Sequence, residues 1–189
     1  MKFADIRNKD IIIYLVFSVI FLLGISIYKD YGITLDDEFY RKNGQFFYEY
    51  IKILFSEKNL LGLNELKLLS EEITGNSDII NHPVIFDILL AAFVDLFNFS
   101  STKKIYELSH FLNFFIFFIS LIFFYKLVFK RFNSVNYGLF SILVLFFSPR
   151  IFAESFYNSR DIFFLSLFIF NIYSAYNFLQ KQNLKTSII

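Results

Sequence analysis

A chain of 189 residues that is 56% hydrophobic, 22% aromatic and only 19% charged is too apolar for an ordinary soluble domain, in which roughly a quarter of residues carry charge. A net charge of +1 gives no field to steer a polyanion, so no nucleic-acid partner is implied. With no cysteine, a disulfide framework, a thiolate nucleophile and a Cys-ligated zinc are all excluded.

Crossing ~30 Å of hydrocarbon takes roughly 20 mostly apolar helical residues. Four stretches without Asp, Glu, Lys or Arg meet that need: 11–28, 108–125, 132–149 and 162–180. The first has no small-residue cleavage site after it and reads as an uncleaved helix rather than a signal peptide. The short link Lys126 to Arg131 makes the second and third spans a tight hairpin. The expected architecture is all-α: a polytopic bundle of four transmembrane helices, with two interfacial amphipathic helices in the first external loop.

Orientation follows from the basic residues, because translocating positive charge is disfavoured. Lys2, Arg7 and Lys9, then Lys126, Lys130 and Arg131, then Lys181 and Lys185 fall on one side if every span crosses. That side is read as cytoplasmic, with the amino terminus, in the plasma (inner) membrane of a bacterium. Between Lys29 and His82 there are ten Asp or Glu against six Lys or Arg, so external loops are expected at 29–107 and 150–161.

The first external loop divides into three. Paired apolar residues at Phe39/Tyr40, Phe46/Phe47, Tyr50/Ile51 and Leu54/Phe55 recur with a helical period from Asp36 to Ser56. Thr34 with Asp37 three positions on resembles a capping box at its start. Leu66, Leu69 and Ile73 suggest a short helix within 59–81. A second apolar helix runs from Pro83 to Phe97 with only seven charge-free residues, Ile88 to Val94, between Asp87 and Asp95. It is too short and too charged to span and is expected at the interface.

Asp36, Asp37 and Glu38 stand where the first span has just emerged. They suit a helix N-terminus, which favours anions by a few tenths to about 1 kcal/mol. They equally suit a general base or metal ligand at the bilayer surface, where a carboxylate in a dry cleft can accept a hydroxyl proton. In the second loop, Arg150 and Arg160 read either as anchors or as guanidinium groups for bidentate phosphate binding. Glu154 reads as an ion-pair partner of either Arg or as a ligand to a divalent cation. His82 and His110 lack a zinc-binding spacing. His110, Asn113, Asn171 and the span serines read as hydrogen-bonders within the bundle.

The order of GITLDDE after the first span, NHPVIFDILLAAF closing the long loop, LSHFLNFF opening the second span and SPRIFAESFYNSRD between the third and fourth resembles the amino-terminal part of GT-C integral-membrane glycosyltransferases. The protein mannosyltransferase and aminoarabinose transferase group is the nearest in flavour, over about residues 8 to 181. The resemblance implies transfer of a sugar, with inversion, from a polyprenyl-phosphate donor in the membrane lipid to a hydroxyl of a lipid, glycan or protein acceptor on the extracytoplasmic face. It implies Asp36 as the catalytic base, with Asp37 at the family's Glu position, and His82, Arg150, Glu154, Arg160 and Asp161 in substrate binding. The metal is left unknown; a divalent cation would be the candidate. Leu35 departs from the family's frequent aromatic. Because that family carries many more spans, the chain is expected to be a single membrane module from a longer protein.

A non-catalytic membrane assembly protein or an inactive fragment is the alternative, and predicts acids paired off with nearby lysines. A transporter would need polar residues or broken helices at mid-membrane and ranks last.

Overall fold

The computed structural model describes residues 2–55 and 84–181, and their side chains from 10 to 180. Among the described residues there are seven helices and no strand: α1 (Lys2–Ile27), α2 (Asp37–Leu54), α3 (Ile85–Leu96), α4 (Thr102–Phe132), α5 (Val135–Phe146), α6 (Pro149–Tyr157) and α7 (Ser159–Lys181). The expected short helix within 59–81, His82 and Pro83 lie outside the described residues. The chain forms two compact units, Met1–Tyr31 with His110–Ile189 and Gly32–Ser109, here called the membrane unit and the loop unit.

Three helices are long and apolar enough to cross a bilayer: Asp10–Ile27 of α1, all of α4, and Ser159–Gln180 of α7. Their outer faces stay uncovered, with Tyr14, Leu15, Leu22, Phe164 and Leu179 among the exposed side chains. Apolar exposure on that scale suits lipid and would drive association in water. Inside the membrane unit, Phe114, Phe117, Leu121, Ile142, Phe146 and Phe156 have no exposed surface. Glycine allows the close approaches: a methyl group at Gly24 would collide with the Phe114 ring, and one at Gly138 with the Tyr125 ring.

Side-chain pairing gives the helix directions. Phe17 meets Tyr125 and Phe118, and Tyr28 meets Phe111, so α1 runs antiparallel to α4. Phe123 packs on Phe170 and Tyr173, and the Lys130 Nζ donates to Asn177 Oδ1 at 2.7 Å and to the Tyr173 hydroxyl at 3.1 Å. Helix α7 therefore runs parallel to α4. The N-terminus of α1 and the C-termini of α4 and α7 share one end of this unit, which carries Lys130 and Arg131.

Two expectations are corrected. The hairpin link is not Lys126 to Arg131, because α4 continues through those residues to Phe132. Lysine and arginine are good helix formers, and the turn is made instead by Asn133 in the left-handed region (φ 49°) and Ser134, whose Oγ accepts from the Tyr137 N–H. The third span is not a straight 132–149. Helix α5 is only 12 residues long, roughly 18 Å, and the chain then bends by 68° into α6. Proline lacks an N–H and pushes its predecessor out of helical geometry; Ser148 accordingly has ψ 117°, and Pro149 opens α6. The loop expected at 150–161 is thus mostly helix, and the pair α5–α6 counts as a fourth span only if taken as one broken crossing.

In the loop unit, α2 and α3 lie against each other in parallel. Asn43 and Gly44 are buried, and any side-chain carbon at Gly44 would run into the Asp87 backbone. Helix α3, at 12 residues, falls short of the ~20 needed to cross. It ends with Asn98 in the left-handed region and with N–H groups of Asn98 and Phe99 bonded to Asp95 and Val94 carbonyls, a Schellman ending. Replacing Gly44 with Val should therefore cost about 1–3 kcal/mol by overpacking. Gly32→Ala, where nothing lies within 4 Å, should stay within about 0.5 kcal/mol. Thermal unfolding of both variants in detergent, followed by helical circular dichroism, checks this.

Candidate functional site

The break at Ser148–Pro149 turns α6 across the end of the membrane unit opposite its basic end. There the Arg150 Nε lies 2.8 Å from Glu154 Oε1, with side-chain exposures of 81% and 14%. The pair uses only Nε of the guanidinium, so its outer nitrogens keep their capacity for an oxyanion. Glu154 is anchored in turn, since its backbone carbonyl accepts from Asn113 Nδ2 of α4 at 3.1 Å. Beneath it, Phe156 stacks between Tyr31 (4.6 Å) and Phe114 (5.2 Å). Burial, and then the neighbouring Tyr157, push the Tyr31 hydroxyl above its ordinary pKa, so it remains a neutral phenol. His110 Nδ1 stands 3.3 Å from the Tyr28 carbonyl. A carbonyl only accepts, so Nδ1 carries the hydrogen. His110 and Asn113 are therefore bundle hydrogen-bonders, as their place in the sequence suggested. Ser120, Ser141 and Ser155 instead bond to carbonyls three residues back in their own helices.

The other expected site residues divide by their local geometry. Asp161 serves the start of α7, where its N–H donates to Asn158 Oδ1 (3.2 Å) and its carboxylate accepts from Asn158 Nδ2 (2.9 Å). Arg160, next to it, is half-buried and engaged within the protein. Asp36 and Asp37 belong to the loop unit. Asp37, the first residue of α2, accepts the Thr34 N–H at 2.7 Å; the capping box expected at Thr34 is not formed, because Asp36 and not Thr34 holds the N-cap position. Asp36 holds the N-cap position of α2, is exposed, and makes no side-chain capping bond. His82 is outside the described residues. Among the described residues no three His, Asp or Glu side chains gather to hold a metal, and Glu154 is occupied by Arg150.

A second polar constellation, in the loop unit, was not foreseen. The Tyr48 hydroxyl donates to Asp95 Oδ2 at 2.8 Å, and Lys52 Nζ reaches both Asp95 Oδ2 and Glu49 Oε1 at 3.3 Å. Tyr48 and Asp95 of this clasp line a cleft of ≈ 190 Å³ between α2 and α3, lined also by Arg41, Gln45 and Asp87. Pairing of helices 40 residues apart is invisible to local periodicity. Only Gly44, a small residue within an amphipathic helix, signalled a close crossing.

Comparison with known proteins found no matching family model, no matching curated protein and no matching solved structure.

Hydrogen bonds from Tyr48, then from Lys52, hold the Asp95 carboxyl below its ordinary value. Burial draws the Lys52 ammonium down, but its bonds to Asp95 and Glu49 more than reverse this and leave it raised. Asp95 therefore stabilises the clasp fully above the usual carboxylate value of about 3.9, and this is lost as pH falls through its depressed folded value. Lys52 stabilises it below the usual lysine value, with loss as pH rises through its raised one. The near-UV tyrosine signal should be flat across neutral pH with a step on the acid side, and Asp95→Asn should abolish that acid step. Separately, Asn113→Ala should cost about 0.5–2 kcal/mol by removing the hydrogen bond between α4 and α6, read as a lower melting temperature in detergent.

Proposed function

We propose that the chain is a membrane module of a GT-C-type glycosyltransferase, moving a sugar from a polyprenyl-phosphate donor to an acceptor hydroxyl at the extracytoplasmic surface of the inner membrane. The observation that carries the reading is the Arg150 guanidinium, largely exposed yet oriented by a nearly buried Glu154, at the break in a span. External arginine runs against the positive-inside tendency, and planar guanidinium suits a phosphate leaving group. In this reading α1, α4, the bent pair α5–α6 and α7 make four crossings with the amino terminus cytoplasmic, and α2 and α3 lie at the interface. The exposed Leu54, Phe55, Leu96 and Phe97 support that placement, since apolar faces of amphipathic helices bury in the acyl boundary.

In the reaction, the acceptor oxygen attacks the anomeric carbon and its proton passes to Asp36. The bond from that carbon to the phosphate oxygen breaks, and polyprenyl phosphate leaves with the electron pair beside Arg150, with Arg160 as a supporting charge. Asp36 is preferred to Asp37 as base because the Asp37 carboxylate already serves the Thr34 N–H.

A non-catalytic assembly role is the second reading. It is favoured by the pairing of acids with lysines at Glu38–Lys42, Glu49–Lys52 and Lys103–Glu107. Sugar transfer in membranes carrying the full chain and supplied with a polyprenyl-phosphate sugar decides between the two. Asp36→Asn should lower turnover about 10²–10⁴-fold, the worth of a general base, and Arg150→Ala should raise KM and lower kcat. Asp37→Asn should act chiefly on stability. Undiminished turnover in both aspartate variants removes the base, and no turnover by the parent chain leaves the assembly role.

A further inference from the structure

We infer that the cleft between α2 and α3 binds one neutral sugar ring. Its volume of ≈ 190 Å³ corresponds to roughly six waters at about 30 Å³ each, space for a single monosaccharide but not for a lipid tail. The cleft lies beside the close approach of the helices at Gly44 and Asp87, and Tyr48 and Asp95 of the clasp are part of its wall.

The chemistry of its walls narrows the occupant. From α2, Arg41 and Gln45 line it one helical turn apart; from α3, Asp87 lines it and is 5% exposed. The Arg41 guanidinium supplies N–H donors and no acceptor, so its place in the lining calls for oxygen atoms in the occupant. A phosphate would answer Arg41 but would sit against Glu49, Asp87 and Asp95. A metal ion or an alkylammonium would answer the carboxylates but would face the guanidinium. A polyol answers both, its hydroxyls donating to carboxylates and its ring and hydroxyl oxygens accepting from Arg41. Leu90, Ala91 and Val94 then offer an apolar floor for the C–H face of a ring.

Choosing a sugar over other small polyols rests on the transfer reaction proposed above, and the test separates the two. The full chain in lipid nanodiscs is titrated with methyl glucoside and methyl mannoside, and with glycerol and inorganic phosphate as comparators, by saturation-transfer difference NMR. At least one methyl glycoside should bind saturably and more tightly than glycerol or phosphate. Arg41→Ala and Arg41→Lys should each weaken it about tenfold or more, since lysine keeps the charge but lacks the fixed fork of guanidinium donors. Ala91→Phe should block it by filling the floor. If Arg41→Ala loses helicity by circular dichroism, Arg41→Lys and Ala91→Phe decide the matter. Absence of saturable glycoside binding, phosphate or glycerol binding as tightly, or unchanged affinity in the folded variants overturns the inference. Sugar binding without transfer activity would uphold the cleft and defeat the reaction; transfer activity with unaltered Arg41 variants would do the reverse.

Discussion

Hydrocarbon neither donates nor accepts hydrogen bonds, so a backbone that enters it must satisfy its amides within its own helix or through a neighbour. In the membrane unit this constraint makes α1, α4 and α7 long and unbroken and gives the one interruption, at Ser148–Pro149, its particular surroundings. The ladder is broken there, and polar groups from another helix gather at the far end of α6. Asn113 of α4 reaches the Glu154 carbonyl, which already accepts the Asn158 N–H. The Arg150–Glu154 pair is presented from the short helix that this proline opens.

The loop unit solves a different problem. Two short helices cannot hold together through area alone, and α2 and α3 combine a side-chain-free crossing at Gly44 with a charged clasp at Asp95. Exposed ion pairs contribute little singly, about 0–1 kcal/mol. In this case they fix register, because Tyr48 and Lys52, four residues apart on one helix, converge on a single carboxylate oxygen. The cleft lies beside the crossing, with Tyr48 and Asp95 in its wall.

Hydropathy made the spans legible, and the 3.6-residue period of Phe39 to Phe55 made α2 legible to within a residue or two of its ends. His110 and Asn113 were readable as bundle hydrogen-bonders because a buried polar group has few alternatives. The extent of α4 is not legible from charge alone: Lys126 to Arg131 look like an interruption, whereas long basic side chains at a helix end extend to water without breaking the backbone. The bend at Pro149 was misread since the apolar run ends where the proline stands, and composition does not tell the end of a helix from a change in its direction. The polar groups of α2 and α3 had no legible role because their meeting depends on tertiary pairing.

The parallel arrangement of α4 and α7 carries a consequence for biogenesis. Lys130 is synthesised with α4, but the groups that receive its ammonium, Tyr173 and Asn177, follow 43 and 47 residues later. Until α7 has been synthesised that ammonium has neither of these partners, and only arrival of the last helix supplies them.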